Sequence, residues 1–88
     1  YTKLSENTYL FDGKTHLNDF LKVLSLDEDY LDEAKGEAET LAGLMLEIRK
    51  DFLRRGEMLA YRRLTLRVDA MDGRRIDKIR VTVADSED

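Results

Sequence analysis

The sequence predicts a small α+β domain in which two helices pack against an antiparallel or mixed sheet of about four strands, including a C-terminal hairpin. Two observations support this class. Apolar residues recur at helical spacing before Gly56 and alternate with polar residues after it, which is typical of strands. The chain has 88 residues, the size of one domain. We therefore expect a single domain over residues 1–88, with an ordered core at about residues 8–84 and polar termini.

The first predicted element is a short strand at residues 8–11, which are aromatic or β-branched except for one leucine. Its alternation places Tyr9 and Phe11 on one face. Residues 1–7 are polar and are expected to form an extended lead-in. Asp12-Gly13 is a turn signal that ends the strand.

A first helix is predicted at about residues 16–25, with Thr15 as its cap. Its buried face is expected to consist of Leu17, Phe20, Leu21 and Leu24. The acidic stretch Ser25–Ala38 that follows is interpreted as a loop with one helical turn, ending near Gly36.

The central predicted helix covers Glu39–Phe52. Its apolar spacing gives a buried face, widened by Ala42 and Leu46, that contains Leu41, Leu44, Met45, Ile48 and Phe52. Gly43 within this helix costs about 1 kcal/mol relative to alanine. We expect the compensation to be close packing of this glycine against the sheet. Gly56, after Arg54-Arg55, is expected to help terminate the helix.

The C-terminal third predicts a β-hairpin. Apolar and polar residues alternate over residues 64–70 and again over residues 79–84. Met71–Arg74 supplies a turn in which Gly73 can adopt positive φ. A shorter strand is expected near Met58–Tyr61.

Charge is unevenly distributed along the chain. Residues 1–48 have a net charge of −7, residues 49–84 a net charge of +6, and the tail from Asp85 to Asp88 a further −3. This division can steer the domain towards a charged partner. Alternatively, the two halves face each other within the fold or across a homodimer.

Residue chemistry alone does not identify a function, and we predict no catalytic, cofactor-binding or metal-binding residues. The chain contains no cysteine, and its one histidine, His16, is expected to be exposed at the start of the first helix. The acidic cluster at residues 27–33 could hold Mg²⁺ or Ca²⁺, but it lacks the glycine-containing calcium loop and is better explained as a solvated surface. No apolar run approaches the roughly 20 residues that span a bilayer, and no signal-peptide pattern opens the chain.

A possible docking or anion-binding surface is formed by arginines of the predicted hairpin: Arg67, Arg74, Arg75 and Arg80. Phosphates, nucleic acid and anionic lipid headgroups are all physically possible ligands of such a surface. Tyr61 is the one nearby aromatic residue available for base stacking, so we expect no nucleic-acid partner. A solvated or domain-facing surface remains the simpler interpretation.

Several motifs together resemble the CorC/HlyC transporter-associated domain. They are Tyr9-Leu10-Phe11-Asp12-Gly13, Leu17 with its helix, Thr40-Leu41-Ala42-Gly43 with Leu46, Gly56, and Asp72-Gly73-Arg74-Arg75-Ile76 with Val81. In these motifs we assign structural roles to Gly13, Thr40, Gly43, Gly56 and Gly73, with Gly13, Gly56 and Gly73 shaping turns. The family often has an Ile-Pro pair before the glycine corresponding to Gly56, whereas this chain has no proline.

The resemblance implies a non-enzymatic regulatory domain that modulates transport in a magnesium/cobalt efflux or hemolysin-like membrane protein. Its implied partners are a pair of CBS domains and a membrane region of the same polypeptide, with a homodimer also possible. The implied location is the cytoplasmic face of the inner membrane. Because the fold is grouped with FAD-binding domains, an adenine-nucleotide or FAD-binding module is the alternative. A branch associated with gliding motility is similar too.

Overall fold

A five-stranded antiparallel sheet with helices packed on one face forms the domain in the computed structural model, which describes residues 1–85. The strands are β1 (Thr2–Lys3), β2 (Thr8–Asp12), β3 (Met58–Tyr61), β4 (Leu64–Asp72) and β5 (Arg75–Val83), in the order β1-β2-β5-β4-β3. The helices are α1 (Leu17–Val23), α2 (Asp32–Lys35) and α3 (Leu41–Arg49). The predicted α+β class is confirmed, and the polar residues 86–88 lie outside the described part of the chain.

The lead-in was predicted to be extended, and Thr2–Lys3 within it form a strand that the prediction did not include. Thr2 and Lys3 pair antiparallel with Leu10 and Tyr9, which adds a fifth strand to the sheet. Tyr1 stacks on Phe11, with ring centroids 5.4 Å apart. A polar two-residue strand has no hydrophobic period, so pairing with β2 and aromatic contact determine its conformation.

The core lies between the sheet and the helices. In the β4–β5 hairpin, Leu66 is opposite Val81 and Val68 is opposite Ile79, and all four side chains are fully buried. This confirms the alternation that predicted the hairpin, and Gly73 in its turn has φ +61° as expected. The other buried apolar residues include Phe11, Leu17, Phe20, Leu21, Leu31, Leu41, Leu44, Met45 and Leu53.

The first helix begins differently from the prediction. Its N-cap is His16 without a side-chain capping hydrogen bond, so the assignment of Thr15 as the cap was wrong. The backbone of a neighbouring segment replaces the cap, because the Leu17 amide donates to the Glu39 carbonyl at 3.0 Å. His16 is exposed, as predicted.

The central helix is shorter than predicted. It ends at Arg49, and Lys50 caps it in the left-handed conformation with φ +61°. Phe52 therefore lies beyond the helix and is 79% exposed, so its assignment to the buried face was wrong, while Leu53 is buried. Gly56 does not end the helix; with φ +90° it lies in the turn before β3.

Gly43 does not pack against the sheet as we expected. A Cβ at this position would lie 3.3 Å from the Ala38 Cβ and 3.3 Å from the Thr40 Oγ1, both in the segment preceding α3. The tight contact of Gly43 is therefore with the segment that directly precedes α3. Earlier in the chain, the predicted helical turn is confirmed as α2, which ends at Lys35 and is followed by the C-cap Gly36 with φ +52°.

Tyr30 connects the acidic segment to the β3–β4 turn. Its ring is buried, and its hydroxyl accepts a hydrogen bond of 3.0 Å from the Arg63 amide. The Arg62 guanidinium lies over the same ring at 4.1 Å from the centroid. One side chain thus holds a loop and a tight turn together.

Tyr30→Phe should lower the free energy of unfolding by about 1–2 kcal/mol, because the Arg63 amide loses its acceptor. Thermal unfolding should show a melting temperature about 4–8 °C lower for each kcal/mol lost. Tyr61→Phe is the control, since the Tyr61 hydroxyl has no hydrogen bond within residues 1–85. Equal effects of the two substitutions would contradict the assigned role of the Tyr30 hydroxyl.

Candidate functional site

Residues from three of the family motifs line one groove of about 590 Å³. It lies between the β2–α1 turn, the start of α3 and the β4–β5 turn, and we call it the motif groove. Its lining consists of Asp12, Gly13, Lys14, Thr40, Ala42, Gly43, Leu46, Asp72, Arg74, Arg75, Ile76 and Asp77. Segments that are separated by about thirty residues in the sequence therefore form one surface.

Gly13 is the centre of a backbone junction beneath this groove. Its amide donates to the Asp77 carbonyl at 2.8 Å, and its carbonyl accepts from the Ala42 amide at 3.0 Å. A Cβ on Gly13 would overlap the carbonyl oxygen of Ile76. Gly13 lies in the turn, as predicted, but its φ is not positive, and glycine is needed here for the close approach of β5.

The amides that open α3 are all occupied. Leu41 donates to the Thr15 carbonyl at 2.9 Å, Ala42 to Gly13, and Gly43 to the Thr40 hydroxyl at 3.2 Å. Helix N-termini bind phosphates through free amides of this kind. The start of α3 therefore stabilises the fold and leaves none of these three donors for an anion.

The rim of the groove carries both signs of charge. The Lys78 ammonium donates a hydrogen bond to Asp12, which holds the pKa of that carboxyl below its ordinary value. The same hydrogen bond raises the pKa of Lys78. Arg74 and Arg75 are exposed, and neither has an ion-pair partner within residues 1–85. These two guanidiniums are available donors at this site, as is the exposed ammonium of Lys14, which lines the same groove and has no ion pair within residues 1–85.

The four arginines of the predicted anion surface lie at two places. Arg74 and Arg75 line the motif groove, whereas Arg67 and Arg80 are opposite each other in the β4–β5 register. The alternation of buried neighbours places this second pair on the face of the sheet away from the helices. Arg80 Nε lies 3.4 Å from Asp69 Oδ1, so the Asp69 carboxylate neutralises part of the positive charge of Arg67 and Arg80.

Two of the motif glycines and the acidic segment at residues 27–33 lie outside the motif groove. Gly73 lies in the hairpin turn and Gly56 in the turn before β3. Among residues 1–85, no three His, Asp or Glu side chains come together in an arrangement that could hold a metal ion. Within the same range, no helix is both long and apolar enough to cross a membrane.

Comparison with known proteins identifies the family. The model of the transporter associated domain, CorC_HlyC, matches residues 2–85. The chain belongs to this family. The resemblance inferred from the sequence motifs is thereby confirmed.

Three relatives illustrate the match. The chain is 32% identical over 82 residues to the polyamine export protein of Escherichia coli K12, covering 93% of this chain and 18% of that protein. A structure of the transporter associated domain from a CBS domain protein of Porphyromonas gingivalis is 36% identical with a TM-score of 0.87, covering 93% and 94% of the two chains. A region associated with a putative Mg²⁺ and Co²⁺ transporter of Neisseria meningitidis has the same fold, with 20% identity and a TM-score of 0.79 over 94% and 96%.

Gly13→Ala should lower the free energy of unfolding by about 3 kcal/mol, because the added methyl group would overlap the backbone carbonyl of Ile76. Gly73→Ala is the matched control. Its φ of +61° strains alanine, but no atom lies within 4 Å of the new Cβ. We expect this control to lose only about 1–2 kcal/mol. Urea unfolding of both variants tests which substitution lowers the free energy of unfolding more. A Gly13→Ala variant as stable as Gly73→Ala would disprove the close-approach explanation.

Proposed function

We propose that this chain is a non-enzymatic regulatory domain of an export protein in the inner membrane, on whose cytoplasmic face it modulates transport of a cationic substrate. Family membership supports this proposal. The chain spans about a fifth of the polyamine export protein it matches, so most of such a relative lies outside the matched domain. Both polyamines and the magnesium and cobalt ions suggested by the motif resemblance are cationic cargo.

The motif groove is the proposed contact site for a neighbouring pair of CBS domains. The observation that carries this step is the position of Arg74 and Arg75, two exposed guanidiniums at the edge of a surface formed by the family motifs. Arginine without an internal partner can form bidentate hydrogen bonds with carboxylates of another domain. Leu46, 42% exposed in the same groove, supplies an apolar contact.

The double variant Arg74→Glu, Arg75→Glu should weaken binding of this chain to the CBS pair encoded with it by about tenfold or more, since two charge-assisted contacts become repulsive. Calorimetric titration measures the affinity. The matched control is Arg54→Glu, Arg55→Glu, another exposed adjacent pair that lies outside the groove. Unchanged affinity in the groove variant, with both variants folded, would refute this docking site.

A nucleotide- or FAD-binding module remains the alternative, and the occupied amides of α3 argue against it. Flavin and nucleotide sites use free backbone amides around the phosphates. We therefore expect the purified protein to be colourless and its melting temperature to be unchanged by added FAD or ATP. Differential scanning fluorimetry at micromolar ligand provides the test, and a rise of several degrees would favour the alternative.

A further inference from the structure

The segment after α3 holds an exposed phenylalanine between basic residues. We call residues 50–57 the Phe52 loop. Phe52 is 79% exposed, whereas its neighbour Leu53 is 4% exposed and belongs to the core. The buried leucine fixes the loop to the domain, so the aromatic side chain points into solvent from an anchored backbone. A large apolar side chain in this position is a typical anchor of protein interfaces.

The cations that follow Phe52 are available for binding. Arg54 and Arg55 are exposed, and neither guanidinium has an ion-pair or hydrogen-bond partner within residues 1–85. The nearby carboxylates are already engaged. Asp51 accepts from the Phe52 amide at 2.7 Å, and Glu57 accepts from the Arg54 amide at 2.5 Å and lies 3.6 Å from Arg49. The loop therefore presents one aromatic ring and two unneutralised arginines.

A groove with complementary properties lies on the helical side of the same chain. It has a volume of about 520 Å³ and is lined by Asn18, Leu21, Lys22, Leu26, Glu28, Asp29, Asp32 and Lys35. Within residues 1–85, its charged side chains without an ion pair are Glu28, Asp29 and Lys22, so negative charge predominates. We call it the acidic groove. Glu28 and Asp29 are exposed and have no ion pair within residues 1–85, whereas Asp32 at the same edge is paired with Lys35 at 3.3 Å.

We propose that the Phe52 loop of one copy docks into the acidic groove of a second copy. An apolar cavity of about 150 Å³ accommodates a benzene ring, so this groove has space for the Phe52 side chain. Leu21 and Leu26 would contact the ring, while Arg54 and Arg55 would meet Glu28 and Asp29. This contact joins the basic and acidic halves of the sequence between molecules, and it goes beyond the proposed function because it needs neither a CBS pair nor a membrane.

Sedimentation equilibrium of the chain at up to about 1 mM, the weak end of specific affinities, should show self-association that weakens with salt. Phe52→Ala should raise the dissociation constant by about tenfold or more, as expected for an interface anchor. Leu4→Ala is the control, because Leu4 is also an exposed apolar residue, at 45%, and lies outside both surfaces.

A charge-reversal pair tests the partner surface. The loop variant Arg54→Glu, Arg55→Glu and the groove variant Glu28→Lys, Asp29→Lys should each lose self-association, whereas an equimolar mixture should associate again through complementary charges. Arg74→Glu, Arg75→Glu should self-associate like the unmodified chain, which separates this contact from the proposed CBS docking site. A monomeric unmodified chain at every concentration, or a mixture that fails to associate, overturns the proposal. Binding of that monomer to anionic phosphatidylglycerol vesicles would instead assign the Phe52 loop to lipid.

Discussion

The approach of β5 to the β2–α1 turn at Gly13 is the constraint on which the rest of the structure depends. At this point the backbone of Gly13 bonds to both Asp77 and Ala42, so the sheet and the start of α3 are fixed by one residue. The absent side chain allows the Ile76 carbonyl to lie where a Cβ would be. Because these are backbone contacts, they set the relative positions of three segments irrespective of most side chains.

The motif groove is a consequence of this junction. Joining the β2–α1 turn, the start of α3 and the β4–β5 turn brings their side chains to one surface. Arg74 and Arg75 reach that surface because they follow directly on the hairpin turn at Gly73. The family motifs thus have two physical roles. Gly13 and Thr40 allow the backbone hydrogen bonds of the junction to form, and Arg74 and Arg75 beside them are available to bind a partner.

Ion pairs within the domain neutralise only part of the unevenly distributed charge of the sequence. Among residues 1–85, the ion pairs of Asp12 with Lys78 and of Glu47 with Lys50 join the acidic and basic halves. Other ion pairs form within one half, as Arg80 does with Asp69 and Lys35 with Asp32. Arg54, Arg55, Arg74 and Arg75 have no ion pair in the described chain, which leaves two separate cationic pairs for intermolecular contacts.

The sequence by itself determined the hairpin, the approximate position of both longer helices and the α+β class, because hydrophobic periodicity is a local property of residues near one another. It also determined the family, through motifs that can be read without coordinates. It failed at element ends: Thr15 was not a cap and Phe52 was not in the helix, because the Glu39 carbonyl and the left-handed Lys50 decide those boundaries. Two residues of β1 carry no periodic signal, and their pairing partner decides their conformation.

The candidate site, too, was predicted from the sequence only in part. Sequence identified Arg74 and Arg75 as available cations, but it grouped them with Arg67 and Arg80, which lie on another face. It did not indicate that Lys14 and Asp77 line the same groove as Thr40, since these residues lie in segments far apart in the chain. It placed Gly13 in a turn but did not indicate the close approach of Ile76, because that steric overlap exists only after β5 has packed beside the turn. Local patterns therefore specified the elements, and long-range backbone contacts specified the site.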